Sequence, residues 1–113
     1  MPRKPPSPSD LIPGTLDMLV LQTLVLGPMH GYAIGQHIAR ISDQVLVVEQ
    51  GSLYPALERL LDAGLVTAKW EQTPARRRAR YYTITASGRK RLGADISSFD
   101  RVLLAINRVM GRA

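Results

Sequence analysis

The stretch from Leu65 to Thr85 restricts the possible folds more than any other. In "LVTAKWE", Val66, Ala68 and Trp70 fall on one face. In "RYYTI", Tyr82 and Ile84 share one face while Tyr81 and Thr83 take the other. Alternation with period two is the signature of a strand. Two such runs joined by a polar, proline-containing loop read as a β-hairpin. Its tip lies in "TPARRRARYYTIT", where Arg76, Arg77, Arg78 and Arg80 fall within five residues. Like charge packed into a turn repels itself and adds nothing to stability, so the tip is built for an anionic partner.

The distribution of charge supports that reading. The formal net charge is +6. Between Lys69 and Arg91, eight basic residues (Lys69, Arg76, Arg77, Arg78, Arg80, Arg89, Lys90, Arg91) face one acid, Glu71, while the rest is nearly balanced. The excess belongs to one element, and nucleic acid or an acidic membrane surface are the partners it favours. Cysteine is absent, which excludes disulfides, thiolate metal sites and thiol catalysis and suits a reducing compartment. Only two histidines, His30 and His37, are present, and nothing at useful spacing completes a metal site. No nucleophile–base set, phosphate-binding loop or GxGxxG fingerprint occurs. The expectation is a non-enzyme without cofactor or metal.

Residues 1–12, with "MPRKPPSPSD", read as a proline-rich disordered arm without a secretory signal. The longest apolar stretch, Leu16 to Met29, is interrupted by Asp17 and Gln22. It is shorter than the roughly 20 residues a membrane span needs. A soluble, cytoplasmic chain with no membrane partner is expected.

Three helices precede the hairpin. The first opens at "PGTLDMLVLQTLVLG", with Thr15 as cap and Gly27-Pro28 as stop, and is apolar almost all round. "HGYAIGQHIARIS" carries Ile34, Ile38 and Ile41 on one stripe. His30 is expected to fix the turn into this helix through a side-chain hydrogen bond. "VLVV" at 45–48 suggests a brief strand. "GSLYPALERLLDAGLV" gives the third helix. Ser52 is its cap, Pro55 lies in its first turn, and Gly64 takes the left-handed position after its end. Leu53, Leu57, Leu60 and Leu61 face inward. Ser52, Pro55, Arg59 and Asp62 face outward, with Tyr54 and Ala56 toward the flanks.

After Thr85, a further cap, Leu92, Ile96, Phe99, Leu103, Ile106 and Met110 follow spacings alternating between four and three. This is a heptad seam about two and a half heptads long. A terminal helix that outruns its own domain has no intramolecular partner to cover such a seam, so it predicts a homodimer. The order helix, helix, short strand, helix, strand, basic loop, strand, long helix is that of a winged helix-turn-helix. The fold class is therefore α+β, mainly α, with a β-hairpin wing and a long C-terminal dimerisation helix. Residues 13–85 form the winged-helix domain and 86–113 the dimerisation helix.

Each element then acquires a candidate role. Arg76, Arg77, Arg78 and Arg80 are placed to contact phosphates. Ser52, Pro55 and Arg59 lie on the helix face that enters a major groove in helix-turn-helix units, while Tyr54, on the flank, either packs its ring on the domain and offers its hydroxyl to a phosphate or is purely structural. Arg59 is the candidate for a guanine edge, against a pair with Asp62. Trp70 reads as ordinary packing or, more sharply, as a flat wall for a planar effector at the dimer interface.

"PGTLDMLVLQTLVLGPMHGYAI", "EQGSLYPALERLLDAGLV" and "RRARYYTITASGRKRL" closely resemble the PadR family of bacterial transcriptional regulators, in its short branch with a single C-terminal dimerisation helix. The likeness runs from about residue 12 to residue 92. It implies a dimeric repressor of a pseudo-palindromic DNA operator, often relieved by a small-molecule effector. By position it implies a recognition helix from Ser52 to Ala63, with Tyr54 and Pro55 in its "YP" signature, and a wing at Arg76 to Arg80. Pro74 stands in the wing tip where an Asn- or Gly-rich tip is expected. The other readings are a non-specific nucleic-acid-binding module and a protein-interaction adaptor whose arginines meet an acidic surface.

Overall fold

The computed structural model describes residues 15–112, so the proline-rich arm at 1–12 lies outside the described residues. The elements run α1 (Leu16–Leu24), β1 (Met29–His30), α2 (Gly31–Ile41), α3 (Gln50–Asp62), β2 (Val66–Gln72), β3 (Arg78–Ile84) and α4 (Ala86–Val109). This is a winged helix, mainly helical, with a three-stranded antiparallel sheet in the order β1-β3-β2.

The all-apolar character of α1 has a simple cause: it touches α2, α3, α4 and β3 at once. Val20, Leu21 and Leu24 are sealed from solvent within the chain itself. They join Ile34 and Ile38 of α2, Leu53, Leu57 and Leu60 of α3, and Val66, Tyr82 and Ile84 of the sheet in one core cluster. A fully buried leucine contributes roughly 2 kcal/mol of burial free energy. Ala56, expected at a flank, is also fully buried, because its small side chain lets α3 approach its neighbours. Ile41 ends the α2 stripe in solvent, since the helix stops there.

The strand expected at 45–48 does not form. Instead α2 closes with Gln44 N–H donating to Ala39 O (2.7 Å), and both Asp43 and Gln44 adopt positive φ. This turn sends the chain across the protein rather than along the sheet. Leu46 and Val48 pack on the core while Val45 and Val47 remain exposed. The free edge of β3 is taken by Met29–His30, with Met29 opposite Tyr82 and His30 opposite Tyr81.

Several local signals act as their residues suggest. The His30 ring Nδ1 accepts from Ala33 N–H at 3.2 Å and caps α2. Thr85 Oγ1 accepts from Gly88 N–H at 3.0 Å and donates to Gly64 O at 2.8 Å. Gly64 has φ 73°, and Leu65 N–H reaches back to Leu60 O at 2.9 Å, a glycine-terminated helix end. The start of α3 differs from expectation. Glu49, not Ser52, occupies the cap position, in extended conformation and without a side-chain cap bond. Pro55 therefore lies in the second turn. The proline forgoes one helical N–H bond, and the ring is accommodated on the exposed side.

The buried positions of helix α4, Gly88 and Leu92, both fall in its first two turns. Leu92 is buried in the domain's own core cluster, so it does not belong to the open seam. Gly88 sits against the Leu65 carbonyl so closely that a Cβ there would lie 2.1 Å from that oxygen. Past Leu92, Ile96, Leu103, Ile106 and Met110 are exposed and Phe99 is half-buried. No helix among the described residues is long and apolar enough to cross a membrane.

Candidate nucleic-acid interface

The hairpin holds its register over its whole length, from Val66 opposite Ile84 to Gln72 opposite Arg78. Burial fades outward along β2: Val66 is sealed, Ala68 partly covered and Trp70 57% exposed. Trp70 is thus not core packing, because the outer half of the hairpin projects beyond the helices that cover its base. The Arg78 guanidinium lies 5.6 Å from the centre of the Trp70 ring, and that of Arg80 lies 5.8 Å from the Tyr82 ring. Such stacking orients a guanidinium while leaving its outer edge available.

The tip is a tight loop. Thr73 N–H donates to Arg77 O at 2.7 Å and Arg76 N–H to Thr73 O at 2.9 Å. The Thr73 hydroxyl also accepts from Arg77 N–H at 3.2 Å. Pro74 presets the backbone of this turn, and Arg76 takes the left-handed position, φ 61°, where glycine is the usual occupant. A proline and a threonine bond thus replace the flexible tip expected from the family pattern. Arg76, Arg77 and Arg78 are exposed and enter none of the ion pairs found among the described residues.

A groove of about 900 Å³ runs between this wing and α3, lined among others by Tyr54, Glu58, Trp70, Arg77, Arg78 and Arg80. It brings Arg77, Arg78 and Arg80 of the wing together with Tyr54, whereas Arg76 does not line it. Tyr54 is half-exposed, and the hydroxyl end of its ring lies against Gly31, where a Cβ would meet it at 2.7 Å. Ser52, Pro55 and Arg59 are exposed on the same helix but do not line the groove.

Two of the candidate-site arginines are held by internal carboxylates rather than free. Arg59 Nη2 donates to Asp17 Oδ1 at 3.0 Å, reaching back to α1 instead of to Asp62. Arg80 Nη1 donates to Glu58 Oε1 at 2.8 Å. Glu58 and Asp17 are the residues that sequence reasoning missed. Their partners lie 22 and 42 positions away, and no local spacing signals a pair that distant. Burial pushes the Tyr82 hydroxyl above its ordinary value, against the opposing pull of the adjacent Arg80 charge. Among the described residues, no group of three His, Cys, Asp or Glu side chains converges on a metal-sized site.

A helix-turn-helix flanked by a cationic wing, with a long helix leaving the domain, defines a protein of the winged-helix regulator class. The sequence profile of the transcriptional regulator PadR-like family matches residues 20–94. The chain belongs to that family. Its backbone superposes on a transcriptional regulator from Clostridium thermocellum with a TM-score of 0.81 and 29% identity, covering 88% of this chain and 97% of the other. It is also similar to Bacillus subtilis PadR, solved in complex with operator DNA, with a TM-score of 0.66 and 26% identity over 73% of this chain. The match spans 46% of that regulator's length. A 37.1 kDa uncharacterised protein from a Streptomyces fradiae transposon is 40% identical over 85 residues, 75% of this chain but 23% of the relative.

Proposed function

We propose that this protein is a homodimeric, sequence-specific DNA-binding repressor, in which the wing and α3 grip one half-site and α4 joins two protomers. The observation that carries the reading is the groove in which the arginine tip and α3 converge. Clustered guanidinium groups gain from a duplex by displacing its condensed counterions. In this reading Arg76, Arg77 and Arg78 take phosphates, Arg80 joins them when freed from Glu58, and Tyr54 offers its hydroxyl beside them. Ser52, Pro55 and Arg59 face the base edges, and Arg59 must exchange Asp17 for a guanine to read it. The family and the operator-bound B. subtilis structure support DNA as the partner. The regulator family supports a non-enzymatic role, and the cell interior is the compartment that the proposed DNA partner implies.

The division of labour follows the notional boundary near residue 85. Residues 13–85, with the start of α4 as far as Leu92 packed on them, form the binding unit, and the remainder of residues 86–113 the joining one. Ile96, Phe99, Leu103, Ile106 and Met110 meet their equivalents or α1 of a second copy. Trp70, half-exposed and capped on one face by Arg78, offers an aromatic wall for a planar effector that relieves repression. Titrating Trp70 fluorescence with planar cationic and phenolic compounds reads that site.

Selection of preferred sites from a pool of random duplex DNA tests the whole reading. A two-fold symmetric consensus, bound at least about 10³-fold more tightly than random duplex, is the expected result. Enrichment of no sequence would leave a non-specific module, and indifference to nucleic acid would leave a protein adaptor.

A further inference from the structure

We propose that Glu58 is a specificity determinant: a carboxylate set within the cationic groove that occupies Arg80 in the free protein and penalises any duplex unable to replace that partner. The inference rests on the duplex-binding reading above and deepens it.

Glu58 follows Leu57 on α3, and one helical step turns it out of the leucine stripe into the groove. It is the one carboxylate among the described residues that line this groove. Its Oε1 accepts from Arg80 at 2.8 Å with both side chains partly exposed, and the Arg80 guanidinium is steadied on the Tyr82 ring. The neighbouring Arg59, one helical step further round, is tied instead by Asp17 of α1. Consecutive residues of α3 are thereby fixed to two different elements, one to the wing and one to α1.

A phosphate that captures Arg80 strips Glu58 of its counterion and leaves it beside a polyanion. Like charges so placed repel, and Arg80 therefore gains little on duplex of arbitrary sequence. The balance changes where a base presents an exocyclic amino group to the vacated carboxylate. Cytosine N4 is the donor that carboxylates accept from in a major groove. At such a base pair Glu58 exchanges a guanidinium for an amino group, and Arg80 becomes available for the phosphate. At other base pairs the exchange is unfavourable. Glu58 thus suppresses binding to random duplex and reads an amino-bearing base at one position.

The test compares wild type, Glu58→Gln, Arg80→Gln and the double variant. The probes are random-sequence duplex and the site that wild type selects from a random pool, each titrated across salt. Glu58→Gln should bind random duplex about fivefold more tightly, with the log–log salt slope steeper by about one per protomer. Its preference for the selected site should fall about tenfold. Arg80→Gln should weaken random binding, and the double variant should bind about fivefold better than Arg80→Gln alone, because the bare carboxylate is gone. A merely structural Glu58 would not produce that recovery. If wild type binds duplex but Glu58→Gln leaves random affinity and preference unchanged, the proposal is overturned while duplex binding stands. If wild type ignores duplex in dilute buffer, the underlying reading falls and this one with it.

Discussion

Leu57 in α3 and Ile106 in α4 are both branched aliphatic residues on regular apolar stripes, yet Leu57 is 0% exposed and Ile106 50%. Period alone does not distinguish a finished core from an open one. The α3 stripe meets α1, α2 and β2 within the chain. Past Leu92 the α4 stripe leaves the core cluster, so most residues of the same chemistry are left facing solvent. An isolated apolar seam of that length is a cost that association removes. The winged unit is thus complete in one copy, whereas in the proposed dimer a second copy covers the tail.

This contrast can be broken at either end. Leu57→Ala should have the largest effect, because it opens a cavity where three elements meet; thermal unfolding should show a loss of about 3–4 kcal/mol. Retention of wild-type stability would mean the winged core is loosely packed. Ile106→Glu should leave that stability in place but weaken self-association by about a hundredfold, roughly 2–3 kcal/mol, read by sedimentation. A dimer that survives the change would move the interface off the tail.

Within the binding unit, Arg77→Ala should weaken all duplexes about equally, by about fivefold per protomer, while Arg59→Ala should chiefly relax sequence preference. Identical behaviour of the two would erase the distinction between wing and helix. The smallest effect concerns Tyr82. Burial raises its hydroxyl above the ordinary 10.0, so the neutral phenol favours the folded state. That contribution is fully present below pH 10 and is lost as pH rises through the folded value. Tyr82→Phe should therefore lose less stability than wild type between pH 10 and pH 12 in alkaline unfolding curves, and identical curves would show that the phenol is not desolvated.

The sequence made the local events readable. The hairpin register, the His30 and Thr85 caps, the Gly64 helix end and the leucine stripe of α3 all rest on neighbours a few residues apart. Where tertiary context decides, reading failed. Val45 to Val48 has strand-forming residues, but two positive-φ residues before it direct the chain away from the sheet. The edge place went to Met29–His30, too short to register as a strand. Trp70 has the right parity for the core but lies beyond the helices that would cover it. Leu92 fits the heptad seam by spacing and is claimed by the domain core instead. Of the interface, the wing charge was plain, whereas the two carboxylates that hold Arg59 and Arg80 come from helices distant in sequence.

The most direct test of the central claim is the salt dependence of duplex binding by the full chain. A polyphosphate gripped by two arginine wings predicts a linear log–log plot with a slope of about −4 to −8 for the dimer. A flat response, or no binding even in dilute buffer, would contradict it.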